Sequence, residues 1–417
     1  MHKTKKLSNG IRVVWEQIPY VRSISIGVWI GNGSRSETIT ESGMSHYIEH
    51  MFFKGTQKRT AKQIAYEIDS IGGQINAFTT REYTCYYTKT LDEHTDIALD
   101  VLSDMIFSSK LDINDMNLER KVICEEINMY EDEPEELVND LIFEACYGDT
   151  AMGRSILGTK QSLEGINPQN MREYINSHYT SVNTVISVSG HFEENALYEL
   201  LEKYFGRKAM CENKVKMYDG VYIPGNIKIR EKDCEQVQLI AAFESIDVKD
   251  DRVYGLLTLN NVFGGGMSSR LFQNIREKRG LAYSVYAYHS AYIDTGFFGI
   301  AAGMAPNNLN KVCELISDEI NNLKKYRLSD DELKMAKEQL KGNYILSYES
   351  IGARMQAAGR NLLLDKEIIS PEEVIDKINS VSHDTIAELT DMIFDKNKMS
   401  IAAVGAIKTV DNLFNIK

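Results

Sequence analysis

No apolar run in the 417 residues approaches the roughly eighteen that a membrane span requires, so no transmembrane helix is expected. The opening stretch, MHKTKKLSNGIRVVWEQ, has lysines but no apolar segment behind them. A secretory signal is therefore not expected, and the cytoplasm is the expected location. The six cysteines (Cys85, Cys124, Cys146, Cys211, Cys234 and Cys313) are scattered and form no CxxC pair. That pattern excludes a disulfide framework and a cysteine-based zinc site, and it suits reduced thiols. Positive charge is also short: 47 Lys and Arg stand against 60 Asp and Glu, a net charge of −13. A general nucleic-acid binder carries a basic footprint, so that class is set aside. The acidic surplus suits basic ligands instead. What is present in ordinary amount is apolar residue, 43%, against 26% charged, which excludes a disordered or fibrous chain.

The length exceeds what one hydrophobic core usually serves, which argues for two domains. The chain also reads as one pattern written twice. The strand-like runs SISIGVWIG (23–31) and VQLIAAF (237–243), two long helical stretches in each half, and the glycine-ended strands TVISVSG (184–190) and SIAAVG (400–405) recur in the same order. Matching Trp29 with Phe243, Leu111 with Leu328 and Gly190 with Gly405 gives a spacing near 215 residues each time. Two homologous domains, residues 1–210 and 222–417, are expected. The polar stretch KAMCENKVKMYDGVYIPGN between them ends in the turn pair Pro224-Gly225.

Within the first half, Glu41–Phe53 reads as a helix. Thr60 is placed to cap the next one, which stops at Gly72-Gly73. QINAFTTREYTCYYTKTL is rich in Thr, Tyr and Phe and reads as a pair of strands. Two long helices follow, about Asp92–Ser108 and Asp112–Tyr130, and Pro134 bars the second from continuing.

The sharpest chemical signal is His46-Tyr47-Ile48-Glu49-His50. On a helix, positions four apart share a face, so both imidazoles can meet one metal ion. Glu49 projects from the same turn, and a carboxylate beside a metal can take a proton from bound water. With eight histidines in the chain, chance supplies roughly 0.01 such pentads. Zinc needs a third protein ligand, and the helix NLERKVICEEINMY offers Glu125 or Glu126. Glu126 has Val122, Ile123, Met129 and Tyr130 as helical neighbours, an apolar face on which a carboxylate needs a cation. Glu125 has Lys121 and Asn128 there and looks more exposed, so Glu126 is the expected ligand. Glu119, two turns earlier on that face, can orient a ligand from behind.

These residues resemble the inverted-zincin metallopeptidases: insulin-degrading enzyme, pitrilysin and the mitochondrial processing peptidases. HYIEH, the segment ERKVICEEINMYEDEPEELVND and the segment GGQINAFTTREYTCYY carry the likeness, which spans most of the chain and is closest to the short processing-peptidase-like branch. The resemblance implies an α+β fold of two homologous domains, each a mainly antiparallel sheet packed with helices, together half of a clamshell. It implies one Zn²⁺ per chain on His46, His50 and Glu126, with Glu49 as the base and Glu119 as a further site carboxylate. It implies that Asn76, Ala77 and Phe78 lie on an edge strand to which an extended peptide adds.

The second half lacks the pentad. Its three glycines, Gly264–Gly266, are not followed by Gly-Lys-Ser/Thr, so a phosphate loop is excluded. A flexible turn and a loop that guides substrate, as in processing peptidases, both remain open. Arg276 and Tyr283, seven apart, can donate to a carbonyl oxygen that gains negative charge. The resemblance gives them that role, from the partner chain of a homodimer whose active site is completed in trans. The expectation is thus a zinc endopeptidase acting on peptides, basic ones being favoured by charge, or on unfolded segments. An inactive scaffold or partner subunit of the same family is the alternative.

Overall fold

The computed structural model describes residues 2–212, 217–410 and 413–417. It divides into two compact units. Residues 213–216, inside the stretch expected to hold the boundary, lie outside the described residues.

The first unit comprises Met1–Ile127, Ser155–Tyr218 and Leu346–Ser370. Its sheet holds β1 (Lys3–Lys6), β2 (Arg12–Gln17), β3 (Ser23–Ile30), β4 (Gln74–Thr79), β5 (Thr84–Leu91) and β6 (Thr184–Gly190), in the order β1-β2-β6-β3-β5-β4. Only the β2–β6 pairing is parallel. β3 and β6 are buried almost throughout and read as continuous apolar runs, the pattern of strands covered on both faces. On one face pack α1 (Met44–Phe52), α2 (Ala61–Ser70), α3 (Thr95–Ser108) and the first part of α4 (Ile113–Asp132), which bury Ile26, Val28, Ile48, Phe52, Leu99 and Leu102. The Thr60 cap forms as expected: its hydroxyl accepts from the Gln63 N–H, and Gln63 answers from its side chain to the Thr60 N–H.

The other face of that sheet is covered from far along the chain. The helix Ile351–Leu363 lies on β2, β3 and β6, and it closes a core of Val14, Trp29, Cys85, Val185, Met355 and Ala358. Its approach is close. Trp29 is buried and donates from Nε1 to Ser187 Oγ at 2.8 Å, directly beneath Gly359.

The second unit comprises Asn128–Arg154, Asp219–Ile345 and Pro371–Lys417. Its strands are β7 (Ile227–Glu231), β8 (Val237–Glu244), β9 (Ser284–Ala291), β10 (Gly296–Met304) and β11 (Met399–Gly405), ordered β7-β11-β8-β10-β9. This is the order of β2-β6-β3-β5-β4 repeated, with the single parallel pair, β7–β11, in the matching place. One face carries the helices Val253–Gly264, Leu309–Tyr326, Asp330–Tyr348 and His383–Ile393. The other is covered by α5 (Pro134–Tyr147), whose Leu141, Ile142 and Ala145 meet Ile240, Ala242, Phe297 and Val404.

The repeat is therefore carried in the topology. Gly190 and Gly405 end equivalent strands and both take positive φ, 140° and 150°. The pairing of Leu111 with Leu328 shifts by one: the residues forced to positive φ between the paired long helices are Leu111 and Arg327. The compact units also differ from a division into residues 1–210 and 222–417. Residues 128–154 belong with the second unit and 346–370 with the first. The reason is physical: each sheet has two apolar faces, and the sequence nearest to it supplies cover for only one.

Candidate metal centre

α1 begins at Gly43, whose φ of 90° and whose approach to the Leu157 carbonyl leave no room for a side chain. The open N–H groups of Gly43 and Ser45 are met by the two carboxylate oxygens of buried Glu37, at 2.8 and 2.7 Å. A negative charge at this end also suits the helix dipole. Tyr47 points the other way and donates to the Met116 carbonyl, which ties α1 to α4. These two anchors set the face on which His46 and His50 emerge.

His46 and His50 sit with ring centroids 4.6 Å apart. Each Nε2 lies 3.8 Å from Glu126 Oε2, and one donor atom from each of the three residues falls within 4.8 Å of the others. Four-coordinate zinc at its usual bond lengths spaces neighbouring donors at about 3.4 Å, so a small closing of the side chains suffices. The donor chemistry fits a metal as well. Burial, with the neighbouring His50 adding to it, pushes the His46 pKa down to about 3, which keeps its lone pair free. Burial also raises the Glu126 carboxyl above its ordinary value, with His50 opposing the shift. A half-buried carboxyl of this kind gains from a cation. His46 Nδ1 is buried without a hydrogen-bond partner among the described residues, whereas His50 Nδ1 lies 3.0 Å from Glu119 Oε2. Glu119 is itself buried and held by Lys54 Nζ at 2.6 Å. That pair fixes the tautomer of His50 and turns Nε2 toward Glu126.

Glu126 lies beside the two histidines, but not for the expected reason. Val122 and Met129, read as part of a buried apolar face, are 50% and 62% exposed. What distinguishes Glu126 from exposed Glu125 is its direction toward the two histidines. Glu49 stands beside them on the same turn. Burial raises its carboxyl, and a hydrogen bond from the Thr79 hydroxyl, then His50, oppose the shift. Thr79, Lys54 and Glu37 were not singled out in the sequence. Only Glu37, six residues before the N-cap Gly43, stands where local sequence carries a trace of its role.

Asn76, Ala77 and Phe78 lie on β4, the edge of the sheet. Asn76 is exposed. Ala77 packs against the core on the α1 side, and Phe78 on the opposite face, among Trp29, Tyr83 and Tyr87. Beside β4 opens a pocket of about 550 Å³ whose lining includes Phe53, Ile64, Asp69, Ile75, Asn76 and Tyr87. Arg276 and Tyr283 belong to the second unit and form a cluster of their own. The Arg276 guanidinium lies 4.9 Å from the Phe272 ring centre and 5.6 Å from that of Tyr283, which is 71% exposed. The three glycines 264–266 line a neighbouring hollow of about 260 Å³ with Arg276 and Tyr286. All six cysteines are free thiols, and no helix of the described residues is long and apolar enough to cross a membrane.

Residues 12–160 match the model of insulinase (peptidase family M16), and residues 165–340 match that of the peptidase M16 inactive domain. An uncharacterised zinc protease of Bacillus subtilis is 43% identical over 397 residues, covering 95% of this chain and 97% of its own. One from Streptomyces coelicolor is 36% identical, covering 96% and 89%. The crystal structure of a protease from Helicobacter pylori superposes with a TM-score of 0.90 at 21% identity, covering 97% and 99%, and so shares the fold. With the H-x-x-E-H pentad on its helix, a glutamate facing it and relatives matched along nearly their whole length, this chain belongs to the M16 (insulinase) family of peptidases.

Proposed function

We propose that the chain is a zinc-dependent endopeptidase that hydrolyses peptides or unfolded segments. The observation that carries this reading is the convergence of His46, His50 and Glu126 on one point, with Glu49 beside them. One zinc ion per chain, bound there, would polarise the scissile carbonyl and acidify the attacking water. Glu49 takes the proton from that water and delivers it to the leaving amine. Glu119 and Lys54 hold His50 in place. An extended peptide adds to the free side of β4 along Asn76, Ala77 and Phe78, and a side chain enters the adjoining pocket. Asp69 at that pocket and the net charge of −13 favour basic peptides. Arg276 and Tyr283 from a second copy of the chain donate to the carbonyl oxygen as it gains charge, which makes the active species a homodimer. The free thiols suit a reducing compartment such as the cytoplasm.

The test is cleavage of a quenched fluorescent basic peptide, with metal content measured in parallel. Activity lost to chelator, restored by zinc and absent in His50→Ala and Glu49→Gln is expected, with Glu49→Gln still holding zinc. Turnover by Glu49→Gln at the wild-type rate would refute the mechanism. A noncatalytic scaffold is the rival reading. It is disfavoured by the complete donor set, and protein that holds zinc but cuts no peptide would support it.

A further inference from the structure

We propose that Thr79 is a positioning residue for Glu49, one that joins the proton-transfer group to the strand that receives the peptide. This rests on the peptidase reading given above. Side chains alternate along a strand, so Ile75, Ala77 and Thr79 share the face of β4 that looks toward α1. Ile75 and Ala77 spend that face on the core. Thr79, the last residue of the strand, presents a hydroxyl instead, and that hydroxyl donates to Glu49 Oε2. It is the hydrogen bond that the Glu49 side chain makes among the described residues.

The hydroxyl is itself aimed. Threonine is branched at Cβ, which restricts χ1. Across the hairpin, Thr79 is registered opposite Thr84, with the two hydroxyl oxygens 3.4 Å apart. Thr84 is fully buried and its own proton is committed to the Asn32 carbonyl at 3.0 Å. Thr84 can therefore only accept from Thr79, and at 3.4 Å it is the weaker acceptor beside the nearer carboxylate, so the Thr79 proton goes to Glu49. Glu49 by contrast carries its carboxylate on three rotatable bonds, at a half-buried position of α1. A base that must meet both a water and a leaving amine depends on such a restraint, since a misplacement near 1 Å costs about 100-fold in rate. The restraint comes from β4, so the strand that binds substrate also sets the aim of the base.

The experiment compares full-length, zinc-loaded wild type with Thr79→Val, Thr79→Ser and Glu49→Gln. Thr79→Val keeps shape and volume but removes the proton. Its kcat is expected to fall about 10- to 100-fold, with KM within about twofold and zinc content unchanged. Thr79→Ser, which restores a donor, is expected to recover most of kcat, a rescue that a purely structural role would not require. Wild-type kcat in Thr79→Val, or a loss confined to KM, would overturn the proposal while an inactive Glu49→Gln left the peptidase reading standing. Wild-type turnover in Glu49→Gln would overturn both. Crystal structures of the zinc-loaded wild type and Thr79→Val decide the matter even where the peptide is not cut. The expected result is a displaced or split Glu49 carboxylate in the variant with His46, His50 and Glu126 unmoved; an unmoved Glu49 would refute the role.

Discussion

Gly359→Ala sets two effects of opposite sign against each other. Gly359 lies inside the helix Ile351–Leu363, where alanine is intrinsically better by about 1 kcal/mol. The added methyl, however, would stand 2.5 Å from Trp29 Cε2 and 2.6 Å from Ser187 Oγ, well inside contact distance. Trp29 is buried at 1% exposure and cannot swing outward. Overpacking of this kind costs about 1–3 kcal/mol. Prising Trp29 from Ser187 leaves a buried donor unpaired, a further 1–3 kcal/mol or so. Packing should win by about 2–3 kcal/mol, lowering the first unit's melting temperature by roughly 5–10 °C. Gly342→Ala is the control. It lies in the helix Asp330–Tyr348 with nothing within 4 Å of the new methyl, so it should stabilise by up to about 1 kcal/mol. Urea and thermal melts of both variants make the comparison. If Gly359→Ala proved as stabilising as Gly342→Ala, the close docking of the Ile351–Leu363 helix on Trp29 would be wrong.

Three further outcomes are expected. Glu119→Gln should weaken zinc binding about 10- to 100-fold, because it loosens the hold on His50 Nδ1; competition with a chromophoric chelator measures it, and unchanged affinity would exclude that role. Metal-free protein should lose stability as pH falls. The buried His46 imidazole resists protonation down to about 3, whereas the unfolded chain binds that proton from 6.5 downward, so this group contributes a loss approaching 1.4 kcal/mol per unit of pH, roughly, between those values. Urea midpoints from pH 7 to 4 should slope less in His46→Gln, and equal slopes would show the ring to be open to solvent. Mixing Glu49→Gln with Arg276→Ala chains should restore about a quarter of wild-type activity if sites are completed in trans, since half the dimers then hold one intact site; no recovery on subunit exchange would place each site within one chain.

The candidate metal centre is largely legible because its spacing is local. Two histidines four apart need only a helix to meet, and that helix was readable from its pattern. The apolar-face argument for Glu126 fails at Val122 and Met129, since both are exposed. Neighbours in sequence told which face a residue occupies but not what that face meets. Thr79 was out of reach for the same reason. Its bond to Glu49 spans thirty residues and depends on the register of β4 against β5 and on where α1 lies above them. The repeated sheet order could be anticipated from matched strands. The allotment of α5 to one sheet and Ile351–Leu363 to the other could not, because any apolar helix face satisfies either sheet.

That allotment has a consequence for how the protein is made. A domain that is continuous in sequence can finish folding while the ribosome is still working on the next one. The first unit cannot. Its strands and its near-side helices are complete by Tyr218, but the helix that roofs Val14, Trp29 and Val185 is not finished until Leu363 has been synthesised. At ordinary elongation rates the delay is on the order of ten seconds, during which an apolar sheet face stands bare on a nascent chain. A chaperone that shields exposed apolar surface has its natural moment in that interval. Truncation between the two halves would make the interval permanent, leaving a fragment that carries all three candidate metal ligands yet lacks the roof its sheet requires.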